Sequence, residues 1–272
     1  MLGIGSRNIP KRKIRLHLVQ FATSVGKPLT TLRKLTALLA TLRPKPGDTI
    51  VFPEMWPSGF SLEDKERLLS ENQECRQWME EYTKRHRCYM MGSMLQFASG
   101  KAYNEAYILG PRGKALATYR KIHLFEYGGE HLRFHPGNKI VCSDSPWGPI
   151  GLAVCYDLRF PELFRRLARA KARLVIVPSA WPRERLDHFL SLLKARAIEN
   201  QCFMVGVNKV GPGVHEKPVK YGGHSVIFGP WGEKIVEMDS RSGIRSVELD
   251  FKCVESVRKR YPFLNSRVLK EC

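Results

Sequence analysis

The stretch GLAVCYDLRFPELFRR, residues 151–166, decides the fold class, because two backbone periods meet inside it. Gly151 to Val154 are small and apolar, the composition of a buried strand. From Phe160 onward Leu163, Phe164 and Leu167 are spaced to share one face of a helix. Cys155 stands where the strand gives way to the turn. Most free cysteines behave as small buried hydrophobes, and Cys155 is open to that interpretation. A cysteine at a strand end facing a helix N-terminus also has backbone N–H groups and the positive end of the helix dipole nearby. Both favour thiolate over thiol, and the same N–H groups can hold an oxyanion.

Outward from this stretch, strands and helices recur. Ile14, Leu16 and Leu18 alternate with Arg15, His17 and Val19 in a first strand, and Leu32, Leu35, Leu38, Leu39 and Leu42 form a helical stripe. PKPGDT at 44–49 is a turn before the apolar strand TIVF. A longer helix is predicted over 63–87, with Leu68, Leu69, Cys75, Trp78, Met79 and Tyr82 on its buried side. Strands follow at 89–96, 103–109 and 114–119, the last two joined by the tight turn GPRG at 110–113. A Gly- and His-rich loop covers 127–137. RLVIVP at 173–178 is a buried strand, 184–200 a helix, CFMVGV another strand, and 222–249 three short strands. Helices mixed with both buried and hairpin strands define a layered α/β protein with mixed sheets. No linker or short repeat divides the chain, so one domain is expected.

The 272 residues are 43% apolar and 10% aromatic, enough for a substantial core. No apolar run approaches the roughly 18 residues of a membrane span, and the first twenty residues lack the apolar core of an export signal. Seven cysteines, an odd number with no C-x-x-C pair, suggest neither a disulfide framework nor a zinc site. A soluble, reduced, cytoplasmic protein without metal or cofactor is expected. The net charge of +19 gathers in clusters such as Lys11-Arg12-Lys13 and RRLARAKAR at 165–173. Such clusters attract phosphate, belong as readily to a solvated surface, or draw in an acidic small substrate. No helix-turn-helix, RNP or zinc-finger pattern accompanies them, so no specific nucleic-acid partner is expected.

Three further residues carry chemistry if they meet Cys155. Glu54 follows an apolar strand in TIVFPEMWPSGF, where desolvation raises a carboxyl pKa toward that of a general base or acid. Lys121 follows a strand in ALATYRKIHLF and offers a fixed cation for developing negative charge. Glu130 lies in YGGEHLRFHPG. In isolation each also fits a solvated side chain. His123, His131 and His135 lie upstream, with nothing in the sequence placing one beside Cys155. A Cys, a carboxylate and a Lys at neighbouring strand ends suffice for acyl transfer through a thioester without histidine.

These segments resemble the nitrilase superfamily of carbon–nitrogen hydrolases. VFPEM resembles its first motif and puts the catalytic glutamate on Glu54; YRKIHLF puts the lysine on Lys121; GLAVCYDLRFPELFR puts the nucleophile on Cys155. The additional family glutamate corresponds to Glu130, shortly before Pro136-Gly137. Agreement runs from about residue 14 to about 267, including KARAIENQ at 194–201 and the closing RKRYPFLNSRV, and leaves a basic leader at 1–13 before a hydrolase domain at 14–272.

The resemblance implies a four-layer α-β-β-α sandwich with two mixed sheets, paired as a homodimer or higher homo-oligomer. EHLRFHPG, CYDLRFPE and WPRERLDHFLSLLKARAIENQ are most similar to the ω-amidase branch. That branch hydrolyses terminal amides of 2-oxo acids such as 2-oxoglutaramate. Deaminated-glutathione amidases, N-carbamoyl amidohydrolases and nitrilases are the alternatives on the same Glu-Lys-Cys site. An anionic small-molecule amide is therefore the expected substrate, with the backbone N–H of Tyr156 assisting Lys121 at the oxyanion. Arg159 and Arg183 are candidates for the substrate carboxylate, although Arg159 fits a pair with Glu162 equally well and Arg183 a plain surface position. Trp181 and Tyr156 are candidate pocket walls or core residues.

Overall fold

A computed structural model describes residues 11–214 and 218–268. The first ten residues of the expected basic leader lie outside that description, and Lys13, its last, already opens a strand. In chain order the elements begin with β1 (Lys13–Gln20), α1 (Pro28–Leu39), β2 (Thr49–Val51), α2 (Lys65–His86), β3 (Tyr89–Ala98), β4 (Lys101–Leu109) and β5 (Ala115–Arg120). The middle holds β6 (Cys142–Ser143), β7 (Ile150–Leu152), α3 (Pro161–Arg169), β8 (Leu174–Ser179), α4 (Leu186–Asn200) and β9 (Phe203–Asn208). Then come β10 (Val210–Val214), β11 (Pro218–Gly222), β12 (Val226–Phe228), β13 (Lys234–Glu237), β14 (Gly243–Asp250) and α5 (Lys252–Arg260).

Two six-stranded sheets form, in the orders β14-β1-β2-β3-β4-β5 and β13-β12-β9-β8-β7-β6, with β10 and β11 as a separate hairpin. Each has a parallel trio at its centre, β1-β2-β3 and β7-β8-β9, flanked by antiparallel strands. Alternation along the strands sorts their side chains into two cores. Ile14, Leu16, Leu18, Val51, Met91 and Ile108 of the first sheet join Ile150, Leu152, Leu174 and Ile176 of the second in a shared core. The opposite face sends Val19, Ile50, Met90 and Leu109 against Leu35 and Leu39 of α1 and Cys75 and Met79 of α2. Leu163 and Leu167 of α3 and Phe189 and Leu193 of α4 cover the second sheet. The layers therefore run α-β-β-α.

Three local expectations change. Leu69 is exposed, because the buried stripe of α2 runs Leu68, Asn72, Cys75, Met79, Thr83 and leaves its neighbour about 100° away. His17, alternating with the apolar residues of β1, is nonetheless buried. Its ring nitrogens meet Ser246 at 2.8 Å and Asp48 at 2.9 Å, and β1 is sandwiched between β14 and β2. The last of the three C-terminal strands, β14, crosses to the first sheet and pairs with β1 along its whole length. No helix among the described residues is long and apolar enough to cross a membrane.

Candidate active site

The ends of strands from both sheets converge on a pocket lined by Glu54, Lys121, Glu130 and Cys155 together with Phe60 and Trp181. Glu54 comes from the turn after β2, Lys121 directly follows β5, and Cys155 opens a single 3-10 turn after β7. This is where open α/β sheets place ligands, beyond the carboxyl ends of parallel strands. The two sheets are tied at this point, where the Glu54 N–H donates to the carbonyl of Ser179, the last residue of β8.

Lys121 is fully enclosed, with its ammonium 2.9 Å from Glu54 Oε1 and 2.7 Å from Glu130 Oε2. Glu54 Oε2 accepts from the Ala180 N–H at 3.0 Å, and Glu130 Oε2 from the Phe125 N–H at 2.7 Å. Asn104 of β4 donates to Glu54 Oε1 at 2.7 Å and to Glu130 Oε1 at 3.4 Å, so one side-chain amide spans both carboxylates. Gly137 sets the lysine's backbone. Its N–H donates to the Lys121 carbonyl at 2.8 Å, and a Cβ at 137 would collide with the Arg120 carbonyl oxygen.

Burial pushes the Glu54 carboxyl up, but the Lys121 charge and hydrogen bonds from Lys121 and the Cys155 thiol outweigh it and leave Glu54 below the usual carboxylate range. The expected rise is thus reversed by a cation that the sequence alone did not place. Glu130 goes the other way, raised by burial and then by Glu54 despite Lys121. Lys121 is held above its ordinary value because Glu130 and Glu54 overcome its burial. The Cys155 thiol is also raised, first by burial and then by Glu54, against the opposing effects of Lys121 and the Ala180 N–H. The resting pair is therefore thiol and carboxylate. The helix dipole expected to favour thiolate is too far removed, since α3 begins only at Pro161, after the 3-10 turn Cys155–Arg159.

A proton acceptor, a thiol donating to it and a buried cation can together carry out nucleophilic attack on an electrophilic carbon, with proton transfer and charge stabilisation supplied locally. Cys155 is 8% exposed and Glu54 0%, and both line the pocket.

Tyr156, Arg159 and Trp181 also line this pocket. The Arg159 guanidinium lies 5.1 Å from the Trp181 ring and 5.9 Å from that of Tyr156, and contacts His188 Nδ1 at 3.4 Å. Among the described residues it forms no ion pair with Glu162. Trp181 is both wall and core, since its indole packs 5.5 Å from Phe189. Arg183 is exposed and does not line the pocket, whereas Arg185, two residues on, does. Its guanidinium sits over Phe125 at 5.6 Å and Tyr127 at 5.9 Å. Sequence reasoning missed Arg185, Asn104 and the backbone donors of Phe125 and Ala180. Asn104 had one signal, a polar residue at a buried alternation position of a strand. His131 and His135, four residues apart, gather no third partner; no group of three metal-ligating side chains occurs among the described residues.

The carbon–nitrogen hydrolase family matches residues 16–259, and the chain belongs to that family. It is 32% identical over 252 residues to the 2-oxoglutaramate amidase of Bacillus subtilis (strain 168), covering 92% of this chain and 96% of that one. Omega-amidase NIT2-B of Xenopus laevis is 30% identical over 269 residues, 94% of this chain and 95% of that one. Among solved structures, XC1258 from Xanthomonas campestris, a CN-hydrolase superfamily protein with an arsenic adduct in the active site, matches with a TM-score of 0.85. It is 28% identical, and the match covers 95% of this chain and 99% of that one.

Proposed function

We propose that the chain is a cysteine-dependent amidase that hydrolyses the terminal carboxamide of a small carboxylate-bearing substrate of the 2-oxoglutaramate type to acid and ammonia. The observation that carries this reading is the meeting of the Cys155 thiol, the Glu54 carboxylate and the Lys121 ammonium in one pocket, with Arg159 and Arg185 among its walls. The names of the two amidase relatives, alike over nearly the whole chain, support it.

In the first half, Cys155 Sγ attacks the amide carbonyl carbon as its proton passes to Glu54. Lys121 Nζ and the Tyr156 N–H hold the oxyanion, and Glu130 keeps Lys121 oriented. Collapse breaks the C–N bond, the Glu54 proton leaves with ammonia, and a thioester remains on Cys155. In the second half, Glu54 takes a proton from water, the resulting hydroxide attacks the thioester, and the thiolate leaves with that proton. Removing one oxyanion donor is expected to cost roughly 100- to 1000-fold in rate. Arg159 and Arg185 hold the distal carboxylate, as a guanidinium fork suits. A homodimer in a reducing cytoplasm completes the reading, and a reducing compartment keeps a nucleophilic thiol available.

Ammonia release from 2-oxoglutaramate, a carbamoyl amine and a nitrile, assayed side by side, tests the substrate class. Turnover is expected on the first and lost in Cys155→Ala. Trapping on the intact enzyme should add the mass of the acyl group to Cys155; an adduct on Cys202, or release only from the nitrile, would overturn the assignment.

A further inference from the structure

Lys209 is a second lysine buried next to this site, and the chemistry above makes no use of it. It follows β9 directly and is 1% exposed. Its ammonium donates to the Met55 carbonyl at 3.1 Å and lies 5.8 Å from the Phe60 ring and 5.7 Å from that of Tyr221. Met55 is the residue after Glu54, and its backbone is left-handed at a φ of 46° without being glycine. Such a conformation persists only where its surroundings over-determine it. Both polar groups of Met55 are accordingly held, the N–H by Ser93 Oγ at 2.9 Å and the carbonyl by the Gly59 N–H at 2.9 Å together with Lys209. Lys209 itself is fixed by the Asn208 side chain, which accepts from the N–H groups of Lys209 at 2.9 Å and of the pocket residue Trp181 at 2.7 Å.

Charge in the site adds a second requirement. Two buried carboxylates, Glu54 and Glu130, share direct ion pairs with a single cation, Lys121. As the thiol proton passes to Glu54 during attack, negative charge moves from that carboxylate to the sulfur and on to the oxyanion within the same enclosed space, where charges interact strongly. The titratable groups around Lys209 are Glu54 from the turn after β2, Cys155 from the turn after β7 and Tyr221 from β11, with Glu130 and Lys121 acting on Tyr221 in turn.

We propose that Lys209 is a positioning residue of the active site, clamping the turn that carries Glu54 and supplying the second buried positive charge that offsets the two carboxylates. The proposal rests on the roles given to Glu54 and Cys155. Burial lowers the Lys209 ammonium to about 7 against the opposing pull of Glu54 and Cys155, so its charge is present below neutrality and is lost as pH rises through that value.

The test reads the sulfur directly and needs no substrate. Alkylation of Cys155 by iodoacetamide is followed by peptide mapping across a pH series on wild type, Lys209→Met and Lys209→Arg, with folding checked by circular dichroism. A nearby cation favours the thiolate. Below about pH 7, where Lys209 is charged, wild type is therefore expected to alkylate several-fold faster than Lys209→Met and to converge with it at higher pH, whereas Lys209→Arg keeps the faster reaction throughout. Coincident profiles for wild type and folded Lys209→Met would overturn the proposal. Should Lys209→Met not fold, Lys209→Arg decides: arginine stays charged, so above pH 8 its Cys155 must react several-fold faster than that of wild type, and equal rates refute the charge role. Alkylation that never reaches Cys155 would instead count against its assignment as nucleophile.

Discussion

Arg183 and Arg185 differ by two positions in one short 3-10 turn, and only the second reaches the pocket. Spacing alone does not separate them, since both precede α4 in the same charged run. The catalytic candidates were far more legible: Glu54, Lys121 and Cys155 each sit in a short motif at a strand end, and the structure brings all three together. Their ionisation was less legible. Glu54 is expected to rise by desolvation, and it falls because Lys121, from the end of β5 in the same sheet, lies 2.9 Å away. If Arg159 and Arg185 hold a substrate carboxylate, leucine at either position removes a charge-assisted hydrogen bond of about 1.5–3 kcal/mol, roughly a 10- to 150-fold rise in KM. The rise should appear for 2-oxoglutaramate and be absent for an uncharged amide of similar length; an equal effect on both would remove the arginines from carboxylate recognition.

At the level of elements, the site depends on how two loops are joined. Asp157, fully buried in the 3-10 turn after Cys155, accepts from the Val154 N–H at 2.8 Å and the Tyr119 hydroxyl at 2.8 Å. Its other oxygen accepts from the His123 N–H at 3.1 Å and meets His123 Nδ1 at 2.7 Å. One carboxylate therefore locks the segment carrying Cys155 to the segment carrying Lys121. Asp157→Asn turns an acceptor toward these donors as a second donor, at an expected cost of about 1–3 kcal/mol. Thermal unfolding should show the loss, and kcat should fall in the variant that remains folded; an unchanged kcat would separate this lock from catalysis. The strand-to-helix change around Cys155 was readable from its apolar periods. The β10–β11 hairpin and α5 were not: VGPGV breaks strand patterning with Gly and Pro, and α5 buries only Val254, too little for a helical stripe.

Across the whole molecule, the class of fold follows from alternating strand and helix patterns, whereas the pairing of strands does not. Lys13 faces Asp250 and Gln20 faces Gly243, a register that joins the two ends of the domain. Local periodicity says which face of β1 is apolar but names no partner, so the sequence leaves β14 among the other C-terminal strands. The charge of +19 is another whole-molecule property. If it is general surface charge, random-sequence DNA should bind at low salt and lose about 10³–10⁵ in affinity between ~50 and ~200 mM, as expected for six to ten phosphate contacts. Hydrolysis should be unaffected across that range. Retention of DNA at the higher salt, measured by fluorescence anisotropy, would make a nucleic acid a partner in its own right.

Cys155 has a φ of 45°, a left-handed backbone that a residue with a Cβ occupies at a cost of about 1–3 kcal/mol. Tension of this kind has a thermodynamic signature. Glycine at 155 would relax the bend while removing the sulfur, so, with Cys155 as the proposed nucleophile, an inactive variant should melt at a higher temperature than the parent chain. Selection for heat tolerance alone would thus push this chain away from its own chemistry, with the bend beneath the sulfur among the first places to yield.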